Sequence, residues 1–125
     1  MGKTIYDIVH VEDDDFTRQE MKRAVEETGL TYLGLSSLQG LESALLEAEG
    51  KIFLIDGSFP RIERGENEVL GGEAADISKK YCKNARIIIH TLDPGWFIEL
   101  REKYEVLCKV DYLPLSKFVK EVIQK

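Results

Sequence analysis

Four consecutive acidic residues, Glu12-Asp13-Asp14-Asp15, follow an apolar stretch that ends at Val11, and a further carboxylate, Asp56, follows the apolar run Ile52-Phe53-Leu54-Ile55. Carboxylates brought together from two chain segments repel unless a cation neutralises them. Hard oxygen donors with open coordination positions suit Mg²⁺. Glu12, Asp13 and Asp56 are therefore candidate ligands of a divalent ion, while Asp14 and Asp15 read as turn residues or helix N-caps. Asp56 is the more telling of the acids, because it sits where a buried run emerges and is succeeded by Gly57-Ser58-Phe59-Pro60. Thr91 adds a hydroxyl at the end of another apolar run, Arg86 to His90.

These groups meet only if the chain brings three apolar runs side by side. Strand-like segments recur at Ile5 to Val11, Thr31 to Leu35, Ile52 to Ile55, Arg86 to Thr91 and Val110 to Leu113, separated by segments of helical spacing. Met21, Ala24 and Val25 form one stripe. Leu41, Ala44, Leu45 and Ala48 form a second, Phe97, Leu100 and Tyr104 a third, and Val119, Val122 and Ile123 a fourth. Gly29 and Gly50 suit positions just past helix ends, Asp93-Pro94 reads as N-cap plus first helical residue, and Ser116 as a cap of the last helix. Alternating strands and helices joined right-handedly build a doubly wound α/β domain over residues 1–125, with a five-stranded parallel sheet covered on both faces. Its ligand crevice lies outside the carboxyl ends of the strands, where the strand order reverses. That is where Glu12, Asp13, Asp56 and Thr91 fall.

Composition narrows the classes. The 125 residues carry 17 Lys and Arg against 23 Asp and Glu, a net charge of −6, with no basic stripe, so direct nucleic-acid binding is not expected. No apolar run approaches the roughly 20 residues of a membrane span. The start, Met1-Gly2-Lys3-Thr4, lacks the apolar stretch of a signal peptide, so a cytoplasmic protein is expected. Cys82 and Cys108 have neither a CxxC spacing nor a nearby His pair and read as reduced structural thiols. His10 and His90 read as packed strand residues, and Trp96, Phe97 and Tyr104 as core or partner-facing side chains.

In its Val11-Glu12-Asp13-Asp14, Ile55-Asp56 with Pro60, Thr91 and Asp111-Tyr112-Leu113, taken in that order, the chain resembles the receiver domain of bacterial response regulators. The resemblance spans residues 5 to 125 and implies a flavodoxin-like sheet of order 2-1-3-4-5. It implies that Glu12, Asp13, Asp56 and the backbone carbonyl of Ser58 hold Mg²⁺. Asp56 would then accept a phosphoryl group from a histidine kinase or histidine phosphotransfer protein, Thr91 would bond the phosphoryl oxygens, and Tyr112 would be the switch aromatic. The physics agrees, since Mg²⁺ neutralises transferring phosphoryl oxygens and a carboxylate held in line is a competent nucleophile. A stand-alone receiver of this kind, not an enzyme, would signal by contact with a downstream effector protein.

Two departures stand out. Receivers carry a Lys shortly after the switch aromatic, but in Tyr112-Leu113-Pro114-Leu115-Ser116 that position falls on Leu115, or on Leu113 if Pro114 is aligned with the family's Pro. At about 3.3 Å per strand residue, Lys109 is expected near the opposite end of the sheet, which leaves Lys117 as the substitute. Loss of the charged contact would weaken coupling of phosphorylation to shape change by about 1.5–3 kcal/mol. The connection Arg61 to Leu70 is also longer than in typical receivers, either as a functional loop beside the site or as a solvated insertion. Two other readings follow: a pseudo-receiver acting as a phosphorylation-independent interaction module, and a haloacid-dehalogenase-like phosphatase. The second rests on Asp13-Asp14-Asp15-Phe16-Thr17, which fits the DxDxT spacing with Asp13 as nucleophile. Against it, Asp56 precedes Thr91, the reverse of that family's order.

Overall fold

Strand β1 (Thr4–Val11) lies inside the sheet, paired in parallel with β2 (Tyr32–Leu35) on one side and β3 (Ala48–Ile55) on the other. The computed structural model describes residues 2–124. Helix α1 (Asp15–Glu26) joins β1 to β2, and α2 (Leu38–Ala44) joins β2 to β3. A short hairpin, β4 (Phe59–Pro60) with β5 (Asn67–Glu68), and helix α3 (Gly71–Tyr81) lead to β6 (Arg86–Thr91). A 3₁₀ segment, Pro94–Glu102, connects β6 to β7 (Glu105–Cys108). A 3₁₀ turn, Lys109–Tyr112, then leads into α4 (Leu115–Phe118), which continues as a π-type turn over Val119–Ile123. The sheet order is β2-β1-β3-β6-β7 with every pairing parallel, the expected doubly wound, flavodoxin-like arrangement. No helix among the described residues is long and apolar enough to cross a membrane.

Period-two alternation sends the sheet's side chains to two cores. Val9, Val11, Phe53, Ile55, Ile87 and Ile89 pack with Leu41 and Ala74 under α2 and α3. Ile8, Leu54 and Ile88 pack with Met21, Val25, Phe118 and Val122 under α1 and α4. Each such fully buried large side chain contributes about 1.5–3 kcal/mol.

Several boundaries differ from the sequence reading. The chain leaves α2 at Ala44, so Ala48 opens β3 instead of closing a helical stripe. Gly50 lies within β3 opposite Tyr6, where a Cβ would come 2.7 Å from Val9 Cγ2; close approach, not a helix end, calls for glycine there. Gly29, at φ +85°, does stand just beyond α1. Ser116 lies inside α4 and does not cap it.

The largest correction concerns the last strand, which is Glu105–Cys108 and not Val110–Leu113. β6 pairs Ile88 with Glu105 and Thr91 with Cys108, and since β6 ends at Thr91 nothing remains for Val110 to pair with. Arg86 reinforces this register through Nε and Nη2 hydrogen bonds of 2.5 and 2.6 Å to the Glu105 carboxylate.

Candidate acidic site at the strand ends

Register places the acids. Val11 lies opposite Ile55 in the β1–β3 ladder, so the next residues, Glu12 and Asp56, leave the sheet side by side. The ladder extends one bond further, with the Asp56 amide donating to the Val11 carbonyl at 2.9 Å. Glu12, Asp13 and Asp56 each present a carboxylate oxygen, all within 4.8 Å of one another. Asp14 and Asp15 are exposed and serve α1. Asp14 accepts from the Thr17 amide at 2.8 Å and the Thr17 hydroxyl at 2.5 Å, which lowers its pKa, and Asp15 pairs with Arg18. Of the DxDxT residues, therefore, only Asp13 belongs to the carboxylate cluster.

The cation at this cluster is Lys109. Its Nζ lies 2.7 Å from Glu12 Oε1 and 3.2 Å from Asp56 Oδ1. The expectation that Lys109 lies at the far end of the sheet, and that the site lacks its lysine, is overturned: because β7 ends at Cys108, Lys109 is the first residue past the strand and emerges beside Asp56. Lys117, the supposed substitute, is exposed on α4. Tyr112 follows Lys109 instead of preceding it and packs edge-on against Phe118, with ring centroids 5.5 Å apart. It thereby loses the correspondence on which its switch role rested, and Glu105–Cys108 contains no aromatic residue in its place.

Burial dominates the electrostatics. Glu12 is 2% exposed, and burial, followed by the neighbouring Asp56 charge, pushes its pKa up to about 8 despite the opposing pull of Lys109. For Lys109 burial acts downward, but the charges of Asp56 and Glu12 outweigh it and raise its pKa, so the ammonium stays charged. Glu12 is positioned further by Arg18, whose Nη1 donates to its backbone carbonyl at 2.6 Å. Three carboxylates with an oxygen each within 4.8 Å of the others are a donor set that fits Mg²⁺.

Around Asp56 the backbone is tight. Its Oδ1 accepts from the Gly57 amide at 2.8 Å, and a Cβ at Gly57 would lie 2.6 Å from Thr91 Oγ1 and 2.7 Å from Phe97 Cε2. The buried Thr91 hydroxyl thus borders the Asp56 loop and also accepts from the Asp93 amide at 3.1 Å. Ser58 is half-buried, two residues beyond Asp56 in the same loop. His10 and His90 are buried strand residues as expected. His10 Nδ1 lies 2.7 Å from the Tyr32 hydroxyl, and His90 stacks on Phe118 at 4.3 Å. The long connection after Pro60 folds into the β4–β5 hairpin, pinned where Arg61 pairs with Glu73 and its carbonyl accepts from the Gln39 amide at 2.9 Å.

No protein-family model matches the sequence, and no curated protein matches it. Solved structures do. The chain is similar to a CheY-like response regulator receiver domain protein from Methanospirillum hungatei, with a TM-score of 0.72 and 16% identity over 98% of this chain and 93% of that one. The fold is that of a response-regulator receiver domain. A response regulator from Burkholderia pseudomallei, solved with a phosphorylated aspartic acid, a calcium ion and citrate, matches at TM-score 0.68 and 12% identity over 83% of this chain. The RcsB response regulator of Salmonella typhimurium matches at TM-score 0.64 and 16% identity over 88% of this chain. The chain spans 59% and 54% of the lengths of these two proteins, so its receiver fold corresponds to about half of each.

Proposed function

We propose that this receiver fold accepts a phosphoryl group on Asp56 from a histidine kinase or histidine phosphotransfer protein and acts in the cytoplasm through contact with a downstream effector protein. The observation that carries the reading is the placement of Lys109 Nζ 3.2 Å from Asp56 Oδ1, beside the carboxylates of Glu12 and Asp13. An Asp56 oxygen attacks phosphorus as the P–N bond of a phosphohistidine breaks, the bonding pair leaving with the imidazole nitrogen, to give an acyl phosphate on Asp56. Lys109 then exchanges its Asp56 contact for the phosphoryl oxygens, and Thr91 donates its hydroxyl proton to another of them. Mg²⁺, held by Glu12, Asp13, Asp56 and the Ser58 carbonyl, would neutralise charge on the phosphoryl oxygens during transfer. The phosphorylated aspartic acid and calcium ion of the Burkholderia pseudomallei neighbour are consistent with this assignment.

A phosphorylation-independent interaction module remains the second reading, favoured by the missing aromatic in β7. Intact-mass spectrometry after incubation with Mg²⁺ and acetyl phosphate decides between the two. One added phosphoryl group on wild type and none on Asp56→Asn supports phosphoacceptance. No gain on either, with Mg²⁺ binding also undetectable, leaves the interaction module.

A further inference from the structure

The segment Pro94–Glu102 is a 3₁₀ helix broken by non-helical backbone at Phe97 (φ −121°, ψ 19°), and Phe97 is its one buried side chain. The flanking residues point the other way: Trp96 is 66% exposed and Ile98 57%. The buried ring rests on two glycines. A Cβ at Gly57 would lie 2.7 Å from its Cε2, and one at Gly71 would lie 3.1 Å from its Cε1. Those glycines are joined by the Gly71 amide, which donates to the Gly57 carbonyl at 3.1 Å, and Gly57 in turn donates to the Asp56 carboxylate. The far end of the segment is fixed elsewhere: the Tyr104 amide donates to the Leu100 carbonyl at 2.8 Å, and the Tyr104 hydroxyl donates to Asp76 on α3 at 2.6 Å.

We propose that Phe97 is the positioning residue that carries a change in the Asp56 loop to the exposed side chains of Trp96 and Ile98. The path is steric. With the ring already at van der Waals contact with Gly57, displacement of that backbone has no void to absorb it, and close-packed interiors transmit such shifts. A 3₁₀ segment with poor hydrogen-bond geometry, anchored at one end by a single ring, is the weaker partner and moves. The route bypasses β7, which holds no aromatic, and Tyr112, which packs on Phe118 on the opposite face of the sheet. As a route for phosphorylation signals it rests on the phosphoacceptor reading; as a mechanical link it does not.

Trp96 is the only tryptophan, so its emission reads the link directly. Gly57→Ala drives a methyl into the Phe97 ring and should shift Trp96 emission without any phosphoryl donor. The shift should disappear in Gly57→Ala combined with Phe97→Leu and persist when combined with Tyr112→Leu. Thermal melts identify which variants are folded, and Gly71→Ala, which meets the same ring, replaces Gly57→Ala if that chain fails to fold. In wild type, acetyl phosphate with Mg²⁺ should shift the emission in proportion to the phosphorylated fraction seen by intact mass, and Phe97→Leu should be phosphorylated without the shift. A folded glycine variant with unchanged Trp96 emission overturns the link. So does phosphorylated wild type with unchanged emission. If wild type takes no phosphoryl group, it is the phosphoacceptor reading that fails, and the glycine variants still decide the link.

Discussion

Replacing Glu12 with Gln should stabilise the metal-free protein. In the native state the Glu12 pKa is raised from an ordinary 4.5 to about 8, chiefly by burial and then by Asp56. A raised native pKa means the stability associated with the protonated form is fully present below pH 4.5 and is lost as pH rises toward 8. At about 1.4 kcal/mol per pKa unit, the cost at pH 7 is about 3 kcal/mol, and near pH 8 it approaches 4. Gln mimics the protonated carboxyl. Its carbonyl can accept from Lys109 as Glu12 Oε1 now does at 2.7 Å, and its amide can donate to Asp56. In EDTA at pH 8, Glu12→Gln should melt about 12–16 °C higher than wild type, taking roughly 3–4 °C per kcal/mol for a chain of this size. The advantage should shrink to about 1 kcal/mol at pH 5 and vanish below pH 4.5. Buried His10 and His90 also destabilise the fold as pH falls, but they do so in both proteins and cancel in the difference. Saturating Mg²⁺ should reverse the order, because the carboxylate then has a cation to bind and the amide does not. Melts that show Glu12→Gln less stable in EDTA at pH 8, or an advantage unchanged between pH 8 and pH 5, would refute the account of Glu12 as a strained buried acid.

Lys109→Met should act in the opposite direction. It leaves Glu12 and Asp56 without their shared ammonium, and since Lys109 is partly exposed the loss in EDTA at pH 8 should be about 1–3 kcal/mol by chemical denaturation, diminishing as Glu12 protonates toward pH 5. An unchanged denaturation midpoint would mean that the contact is incidental. His90→Phe should flatten the acid limb of the stability profile. Burial, aided by the Lys109 charge, lowers the His90 pKa from 6.5 to about 4, so stability present above pH 6.5 is lost as pH falls toward 4, by up to about 3 kcal/mol. Denaturant melts from pH 7 to pH 4.5 check this, and an equally steep acid limb in the variant would remove His90 as its source.

The carboxylate site could be read from the sequence because its placement depends on strand ends marked by strong signals. Val11 and Ile55 each close a long apolar run, and any parallel pairing that aligns those runs brings Glu12 beside Asp56. The lysine could not be read the same way. β7 is the edge strand, its four residues Glu-Val-Leu-Cys half-buried at best, and its place is set by Ile88, Ile89, His90 and Thr91 on β6. Local β propensity favours Val110 to Leu113 instead, and a misplacement of a few residues moves Lys109 from one end of the sheet to the other. A local clue existed in Glu105, whose carboxylate answers Arg86 at the start of β6, but recognising it requires already knowing that the two strands are neighbours. The role of Phe97 was hidden for a related reason: its place in an apolar stripe marks it as buried, whereas its consequence comes from Gly57 and Gly71, which reach it from outside its own segment. Residues that continue a strand were thus legible from the chain alone. Those whose position is dictated by a weaker neighbour's register, or by the absence of a side chain opposite, became visible only once the sheet was assembled.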